Sequence, residues 1–312
     1  MFCNQSNITG QTYQPNAGDV VSAIETAIKS GVDTKNTEIA FFGGSFTAID
    51  REYMVSLLEA TKPYINDFYG IRCSTRPDAI DEEVLSLLKE YKVTSIELGA
   101  QSMSDKVLTI NERGHNSLDV EKASFLIKEN GFSLGLQMMT GMYGSNPDLD
   151  IFTAKKLISL NPDTVRVYPT ITMKNTPLAT LYEKGEYVPY DEETTVDVCS
   201  KVLSLFYENN IDVIRVGLHY SDDLVNNRIA GYYHPAFREI CESKIFFELS
   251  IQELKKYPKG KYTVFVNKGF ISKTVGQKKS NIKKFSELGY DVKIKENPSL
   301  KDYEFIIEEE MR

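Results

Sequence analysis

The stretch EIAFFGGSFT, residues 38–47, decides the fold class of this chain. Its first six residues, 38–43, form a short, largely apolar run that predicts a strand buried on both faces, as in a parallel sheet. Gly43, the last of these, and Gly44 stand where the strand would turn toward the next helix, and glycine lets the backbone approach a ligand closely. A lone Gly-Gly pair is equally compatible with an ordinary turn, so its meaning depends on the sequence around it.

Five more β-rich runs follow, and amphipathic helices separate them. The clearest helix begins after Asp81, a plausible N-cap, and places Val84, Leu87, Leu88 and Tyr91 on one face. Alternating strands and helices predict a parallel sheet with right-handed crossovers, and six such units make an open α/β barrel. The predicted strands are residues 38–43, 70–74, 95–99, 133–139, 164–168 and 212–216, and further helices are predicted at about 18–29, 118–131 and 192–207.

Length and composition are those of an ordinary globular protein. The 312 residues leave room for one large domain and a small one, and 41% of them are hydrophobic. No apolar run approaches the roughly 20 residues that span a bilayer, and no signal peptide is visible. The cysteines are widely spaced, which favours a reducing, cytoplasmic setting over a disulfide framework or a zinc site. They are Cys3, Cys73, Cys199 and Cys241.

Charge is distributed unevenly along the chain. Residues 255–295 hold twelve lysines against two acids, so the rest of this chain of net charge −8 carries −18. Such asymmetry indicates a local anion-binding surface on an otherwise acidic protein. The alternative is a solvated, lysine-coated face without a ligand.

Polar motifs follow the predicted strands, at the end of the barrel where such folds place their chemistry. Arg76, after the second strand, would pair with a ligand carboxylate or with Asp78. Glu97 lies within an apolar strand, and a buried carboxylate needs a partner, so it is either a ligand contact or part of an internal ion pair. The motifs in chain order are residues 43–46 (GGSF), 75–78 (TRPD), 97–102 (ELGAQS), 113–115 (RGH), 137–141 (QMMTG) and 167–170 (VYPT).

Taken together and in this order, these motifs resemble the radical SAM superfamily. Within it they are most similar to the radical SAM part of the catalytic subunit of Elongator and its small bacterial relatives, a likeness that also rests on residues 181–187 (LYEKGEY). The resemblance covers about residues 1–218. It implies a partial (β/α)6 open barrel, with a small α/β module after it.

The resemblance also implies a site for S-adenosylmethionine (SAM). The glycine turn would meet the methionine amino group, Arg113 would hold the carboxylate, and the other residues would lie near the nucleoside or line the same pocket. SAM would be cleaved to a 5′-deoxyadenosyl radical, with electrons from a donor such as flavodoxin or ferredoxin. The implied cofactor-binding residues are Gly43, Gly44, Ser45, Glu97, Gln101, Ser102, Arg113 and Gln137.

The first residues look like the end of the cysteine motif C-x3-C-x2-C, with which this superfamily holds a 4Fe-4S cluster. Met1 and Phe2 would fill the last two spacer positions, and Cys3 would be the third ligand. Three thiolates bind three of the four irons and leave the fourth open. We therefore expect two more cysteines to be encoded just upstream of Met1.

The basic C-terminal segment resembles the RNA-binding KH module, in which a G-x-x-G loop between two helices clamps a nucleic-acid backbone. The matching loop is Gly276, Gln277, Lys278 and Lys279, with Lys279 in place of the second glycine, and Ser280 is the expected N-cap of the second helix. The alternative is a small α/β cap with solubilising lysines. The predicted domains are residues 1–220 (barrel), 221–258 (helical linker) and 259–312 (KH-like basic module).

Three functions remain open from the sequence. The first is a radical SAM enzyme that modifies RNA, with tRNA as the expected substrate. The second is a radical SAM enzyme for a small molecule such as a tetrapyrrole, and the third is a clusterless RNA-binding protein that kept the barrel. RNA binding with a steep dependence on salt would favour the first over the second.

Overall fold

A computed structural model describes residue 1 and residues 14–310 of the chain. Its main sheet contains six parallel strands that curl into a half-barrel. Neighbouring strands follow one another in the chain, and the order is β1-β2-β3-β4-β5-β7. All six predicted strands are therefore confirmed. Their bounds are β1 Glu38–Phe41, β2 Gly70–Thr75, β3 Val93–Gln101, β4 Ser133–Thr140, β5 Thr164–Pro169 and β7 Asp212–Val216, with the short β6 Thr172–Met173 outside the main sheet.

Helices cover the convex face of this sheet. Most of them begin at an Asn or Asp whose side chain accepts a backbone N–H of the first turn, and the predicted N-cap Asp81 accepts from Val84. The apolar sides of most of them pack on alternate strand residues, and these side chains together form one large core. These helices are α1 Ala17–Lys29, α2 Arg51–Glu59, α3 Glu82–Glu90, α4 Asp105–Ile110, α5 Ser117–Glu129, α6 Pro147–Ser159, α7 Pro177–Glu183 and α8 Glu192–Glu208.

The two faces of the sheet differ in polarity. Side chains on the convex face, such as Ile96 and Leu98, are fully buried in the core. The concave face instead carries Arg72, Glu97 and Arg166, which form ion pairs. The expectation of strands that are apolar on both faces is therefore wrong for the concave side.

The segment predicted as a helical linker, residues 221–258, contains two helices and a short strand. Helix α9 (Asp222–Asn227) leads into strand β8 (Arg228–Ala230), which pairs with β6, and the long helix α10 (Phe237–Leu254) follows. The first half of α10 packs in the half-barrel core through Phe237, Cys241 and Ile245, and the second half packs in a separate core with the C-terminal sheet. Helix α10 thus joins the two parts.

The C-terminal module is a three-stranded sheet with two helices. Strand β9 (Lys261–Val266) is central, with β10 (Asp291–Glu296) parallel to it and β11 (Phe305–Glu309) antiparallel. Helices α11 (Ile271–Val275) and α12 (Ser280–Glu287) lie between β9 and β10. No helix among the described residues is long and apolar enough to cross a membrane.

Candidate functional site

The turn after β1 presents its glycine backbone to solvent. Gly43 has φ 104°, a conformation that favours glycine, and both glycines are exposed. The rings of Phe41 and Phe46 stack at 4.6 Å and fix the two ends of the turn. This geometry leaves backbone donors accessible beside Ser45, as a bound ligand requires.

The next residue, Thr47, ties the turn to the neighbouring strand. Its hydroxyl lies 2.6 Å from that of Thr75 and donates to the carbonyl of Ala79, also at 2.6 Å. Because β1 and β2 are parallel, their carboxyl ends meet at one edge of the sheet. The glycine turn is therefore held at the edge where the other candidate residues emerge.

Three candidate residues come together at the ends of β3 and β4. The amide of Gln137 donates to Gln101 Oε1 at 3.3 Å. A Cβ atom on Gly99 would lie 2.8 Å from Gln101 Nε2 and 3.9 Å from an Arg113 terminal nitrogen. The absence of a side chain at Gly99 thus makes room for an amide pair and a guanidinium in one space. A guanidinium fork beside two amides suits a carboxylate and the hydrogen-bonding groups of a nucleoside.

Two other motif residues occupy structural positions. Ser102 is buried, and its hydroxyl lies 3.3 Å from Thr153 of α6 and accepts the backbone N–H of Ser104. Its hydroxyl is thus engaged with the helix layer, and its predicted place near the nucleoside stays a prediction. His115 is also buried, with Nε2 3.2 Å from the carbonyl oxygen of Ala100, and burial lowers its pKa. His115 therefore packs against the end of β3.

Arg76 makes the internal pair that the sequence left open. Its guanidinium donates to both oxygens of Asp78, with Nε–Oδ1 at 2.8 Å. It also lies against Gly114, where a Cβ would come 3.0 Å from an Arg76 nitrogen. Arg76 thus braces the loop that carries Arg113.

Glu97 is the centre of an ion network on the concave face. It is 3% exposed, and Oε1 accepts from Arg72 at 3.0 Å and from Arg166 at 2.9 Å. Arg72 also binds Glu38 at 2.6 Å. Burial by itself would raise the pKa of Glu38, but hydrogen bonds from Ser95, Thr94 and Arg72 lower it. Of the two possibilities for Glu97, the structure shows the internal ion pair.

This network reaches the glycine turn through an aromatic ring. The Arg166 guanidinium lies 4.5 Å from the ring centroid of Phe42, the residue before Gly43. A cation above an aromatic face is a favourable contact. Strands β1 and β5 are thus linked across the concave face.

Sequence reasoning missed a buried carboxylate beneath the loop after β4. Asp150 of α6 accepts hydrogen bonds from the Gly141 N–H at 2.8 Å, Ser145 at 2.6 Å and Tyr190 at 3.0 Å. Burial raises its pKa to about 6 despite these bonds. Its only signal in the sequence is an acid in the first turn of a helix, which is common at exposed positions as well.

Cys3 lies outside the described residues. Within the described part of the chain, no group of three His, Cys, Asp or Glu side chains is arranged to hold a metal ion. Cys73, Cys199 and Cys241 are buried and free, and burial raises the pKa of Cys73 and Cys199 to about 12. Thiols buried in this way are unreactive.

The predicted KH-like loop is exposed and anchored from below. Gln277, Lys278 and Lys279 are exposed, and both lysines adopt positive φ, 51° and 62°. No acidic side chain of the described residues pairs with either lysine. Lys279, not Ser280, occupies the N-cap position of α12, so the N-cap prediction is wrong.

Contacts with α10 set this loop geometry. Asn281 donates to the carbonyl of Ser243 at 2.8 Å and to that of Thr274 at 3.0 Å. Gly276 has φ 77°, and a Cβ there would lie 2.9 Å from Ser243 Oγ. The loop is therefore packed tightly against α10, while its lysines face solvent.

Two protein-family models match the chain. One, for the radical SAM superfamily, matches residues 1–152, and one for the radical SAM C-terminal domain matches residues 162–246. Both matches lie on the half-barrel and the segment that follows it.

Curated relatives match the same region. The tRNA uridine(34) acetyltransferase of Methanocaldococcus jannaschii is 32% identical over 206 residues, which is 58% of this chain and 38% of that protein. Human Elongator complex protein 3 is 28% identical over 204 residues, which is 58% of this chain and 37% of that protein. The chain thus spans less than half the length of these relatives.

A solved structure shares the fold. The Elp3 protein of Methanocaldococcus infernus, with residues 1–46 deleted, superposes with a TM-score of 0.62 at 26% identity. The superposition covers 77% of this chain and 58% of that one. The half-barrel described above is therefore the same architecture.

Proposed function

Because the chain belongs to the radical SAM superfamily, we propose that it is an enzyme that binds a 4Fe-4S cluster and SAM and modifies RNA, with tRNA as the substrate class. The observation that carries the proposal is the convergence of the exposed glycine turn, Arg113 and the Gln101–Gln137 pair at one edge of the sheet. The names of the relatives supply the substrate class. Their acetyl transfer is not extended to this chain.

The residues at this edge fit a SAM molecule. The backbone of Gly43 and Gly44 would meet its amino group, and the Arg113 fork would hold its carboxylate. Gln101 and Gln137 would hydrogen-bond the nucleoside. Glu97 and Ser102, which already have protein partners, would support these contacts from beneath.

Cys3 would provide one thiolate ligand to the cluster. When bound, the cluster and SAM supply reductive cleavage and hydrogen abstraction, and the protein binds, orients and excludes water. An electron donor of the flavodoxin or ferredoxin type would be needed. Buried free thiols are consistent with a reducing cytoplasm, where we place the protein.

The C-terminal module supports an RNA substrate. Its loop presents Lys278 and Lys279 without acidic partners among the described residues, on a turn fixed by α10. We propose residues 259–312 as the KH-like RNA-binding domain. Neutralised phosphates release counterions, so binding should weaken steeply as salt rises.

The SAM site is tested by replacing Arg113. In equilibrium dialysis with labelled SAM and anaerobically prepared protein, Arg113→Gln should lower affinity about tenfold or more, because a hydrogen bond to a charged group contributes about 1.5–3 kcal/mol. Arg51→Gln is the matched control, since Arg51 is an exposed arginine on α2 that pairs with Glu83. Unchanged SAM affinity in the Arg113 variant would contradict the site.

The RNA site is tested by charge reversal. The double variant Lys278→Glu, Lys279→Glu should lower tRNA affinity and flatten its salt dependence by about 0.7–0.9 log units per lost phosphate contact. The control carries the same charge change at Lys106→Glu and Lys155→Glu, exposed on α4 and α6. Equal tRNA affinity in both double variants would contradict the KH-like assignment. If the wild type does not bind tRNA, a small-molecule substrate is favoured.

A further inference from the structure

Two arginines lie side by side on the concave face. Arg166 of β5 and Arg215 of β7 are register partners on neighbouring parallel strands. Arg166 is also the register partner of Gln137 on β4. Like charges opposite each other in a sheet are destabilising, so an adjacent arginine pair is an unusual choice for a structural position.

The carboxylates on this face do not balance the arginines. Glu97 serves both Arg72 and Arg166, and Glu38 serves Arg72. Arg215 donates through Nε to the carbonyl of Gly217 at 3.0 Å, and no carboxylate of the described residues forms an ion pair with it. Residues 2–13 and 311–312 contain no Asp or Glu. One positive charge is therefore left over at the β7 end.

The surroundings of Arg215 also lack acidic groups. Burial lowers its pKa, and the neighbouring Arg166 lowers it further, with Tyr168 and Tyr233 as the other titratable groups close to it. The pKa of His219 is lowered by burial and then by the two arginines. Each of these groups is a guanidinium, a neutral imidazole or a hydroxyl, so this set of groups includes no anion.

An unsatisfied hydroxyl lies in the same cluster. The Tyr233 hydroxyl is buried and has no hydrogen-bond partner among the described residues. A buried hydroxyl without a partner is costly, and a bound acceptor would satisfy it. A ligand with several acceptor oxygens would both neutralise the unbalanced positive charge of the arginines and accept a hydrogen bond from this hydroxyl.

We propose that Arg166 and Arg215, with the Tyr233 hydroxyl, form a phosphate-binding subsite for the substrate. The two terminal nitrogens of Arg215 provide a planar fork for phosphate oxygens. Arg166 binds Glu97 through Nε and one terminal nitrogen, so it contributes its other terminal nitrogen and its charge. The register places this subsite one strand from Gln137, on the same wall as the SAM residues. An RNA phosphodiester held there would place its nucleotide beside that site, so this inference rests on the proposed function.

The experiment measures RNA binding by Arg215→Gln in the full chain. Fluorescence anisotropy with labelled tRNA should show about a tenfold loss of affinity and a salt slope smaller by about 0.7–0.9, the value for one phosphate. SAM affinity should stay at the wild-type value. Arg51→Gln removes the same charge at a distant exposed position and should leave both affinities unchanged. Arg215→Lys keeps the charge without the fork and should lie between wild type and Arg215→Gln.

The outcomes separate this inference from the proposed function. Wild-type tRNA binding with an unchanged affinity and salt slope in Arg215→Gln overturns the subsite and leaves the RNA enzyme standing. An equal loss in Arg51→Gln overturns it too, since the effect would be general electrostatics. If the wild type binds a nucleoside monophosphate or inorganic phosphate through Arg215 but not tRNA, the phosphate belongs to a small substrate and the RNA proposal fails. If it binds none of the three, both fail.

Discussion

Glu242 offers the sharpest test of how the C-terminal module is held. It is fully buried on α10, where its carboxylate binds Arg238 at 2.9 Å and Lys273 of α11 at 2.8 Å. The hydroxyl of Tyr303 donates to the same group at 2.9 Å. Lys273 and Tyr303 belong to the C-terminal module, so this one side chain joins it to α10.

The perturbation is Glu242→Gln, which keeps the shape and removes the charge. Its carbonyl oxygen can still accept from Arg238 and Tyr303, but its amide nitrogen would face Lys273, donor against donor. Removing one partner of a buried ion pair costs about 3–5 kcal/mol. Because Lys273 is 23% exposed and can partly reach water, we expect about 3 kcal/mol.

The assay is urea unfolding followed by far-ultraviolet circular dichroism, since the chain has no tryptophan. The control is Glu248→Gln on the same helix, where a half-exposed carboxylate pairs with Lys244 at 3.4 Å. An exposed pair of this kind contributes about 0–1 kcal/mol. Hydrogen exchange should show that Glu242→Gln weakens protection in β9 more than in β3.

Acid should remove the difference between Glu242→Gln and the wild type. Burial would raise the pKa of Glu242, but hydrogen bonds from Lys273 and Arg238 and their charges lower it below its usual value. The folded state therefore binds fewer protons than the unfolded state near pH 4. The stabilisation that the Glu242 carboxylate provides is present above its unfolded pKa of about 4.3, and it is lost as pH falls through its folded pKa. A loss below about 1 kcal/mol at neutral pH, equal to that of the control, would refute the reasoning.

Three further predictions follow from single positions. Asp150→Asn should be more stable than wild type at neutral pH by about 3 kcal/mol, since burial raises the carboxyl pKa from 3.8 to about 6. The wild type becomes more stable as pH falls through 6 and its carboxylate is protonated, so the difference in unfolding free energy should vanish below about pH 4. A difference in urea unfolding that does not change with pH would contradict this. Gly276→Ala should cost more than about 1 kcal/mol and weaken tRNA binding, because its Cβ would press on Ser243 at positive φ; an unchanged melting temperature would refute it. Lys279→Gly should change the unfolding free energy by less than about 1 kcal/mol, because glycine removes the strain of the left-handed backbone but increases the conformational entropy of the unfolded chain. The same variant should lower tRNA affinity. A larger destabilisation would contradict this and show that the lysine stem packs against the protein.

The fold was predictable where its signals are local. β-rich runs of five to seven residues and N-caps such as Asp81 lie within a few residues of the elements that they specify, and all six strands follow from them. The N-cap of α12 was not predictable, because the left-handed Lys278–Lys279 pair is imposed by Gly276 and Asn281 packing against α10, 38 residues away in the chain. Local propensity argues against two consecutive lysines in that conformation.

The candidate site divides in the same way. The sequence placed Gly43 and Gln101 at or just after predicted strands, and a parallel sheet brings strand ends together whatever the details. Arg113 follows helix α4 instead of a strand, and its place in the site came from the family resemblance. The partners of Glu97 lie 25 residues before it and 69 after it, so the sequence showed that a buried carboxylate needs a partner without showing which. Arg215 gave no signal, because its position opposite Arg166 depends on a register shift at the preceding residues of β5.

The concave face explains why a ligand space persists in this sheet. Barrel interiors are usually filled by bulky side chains, but here Gly99 and Gly135 leave room for the amide of Gln101 and the stem of Glu97. A Cβ on Gly135 would lie 2.7 Å from Glu97 Cγ, so the ion network and the glycines require each other. Such a buried network is weak as a source of stability, because apolar packing of the same volume does as well or better. The network instead keeps the concave face polar and open. It fixes Arg166 through Glu97 next to Arg215, which has no carboxylate partner among the described residues.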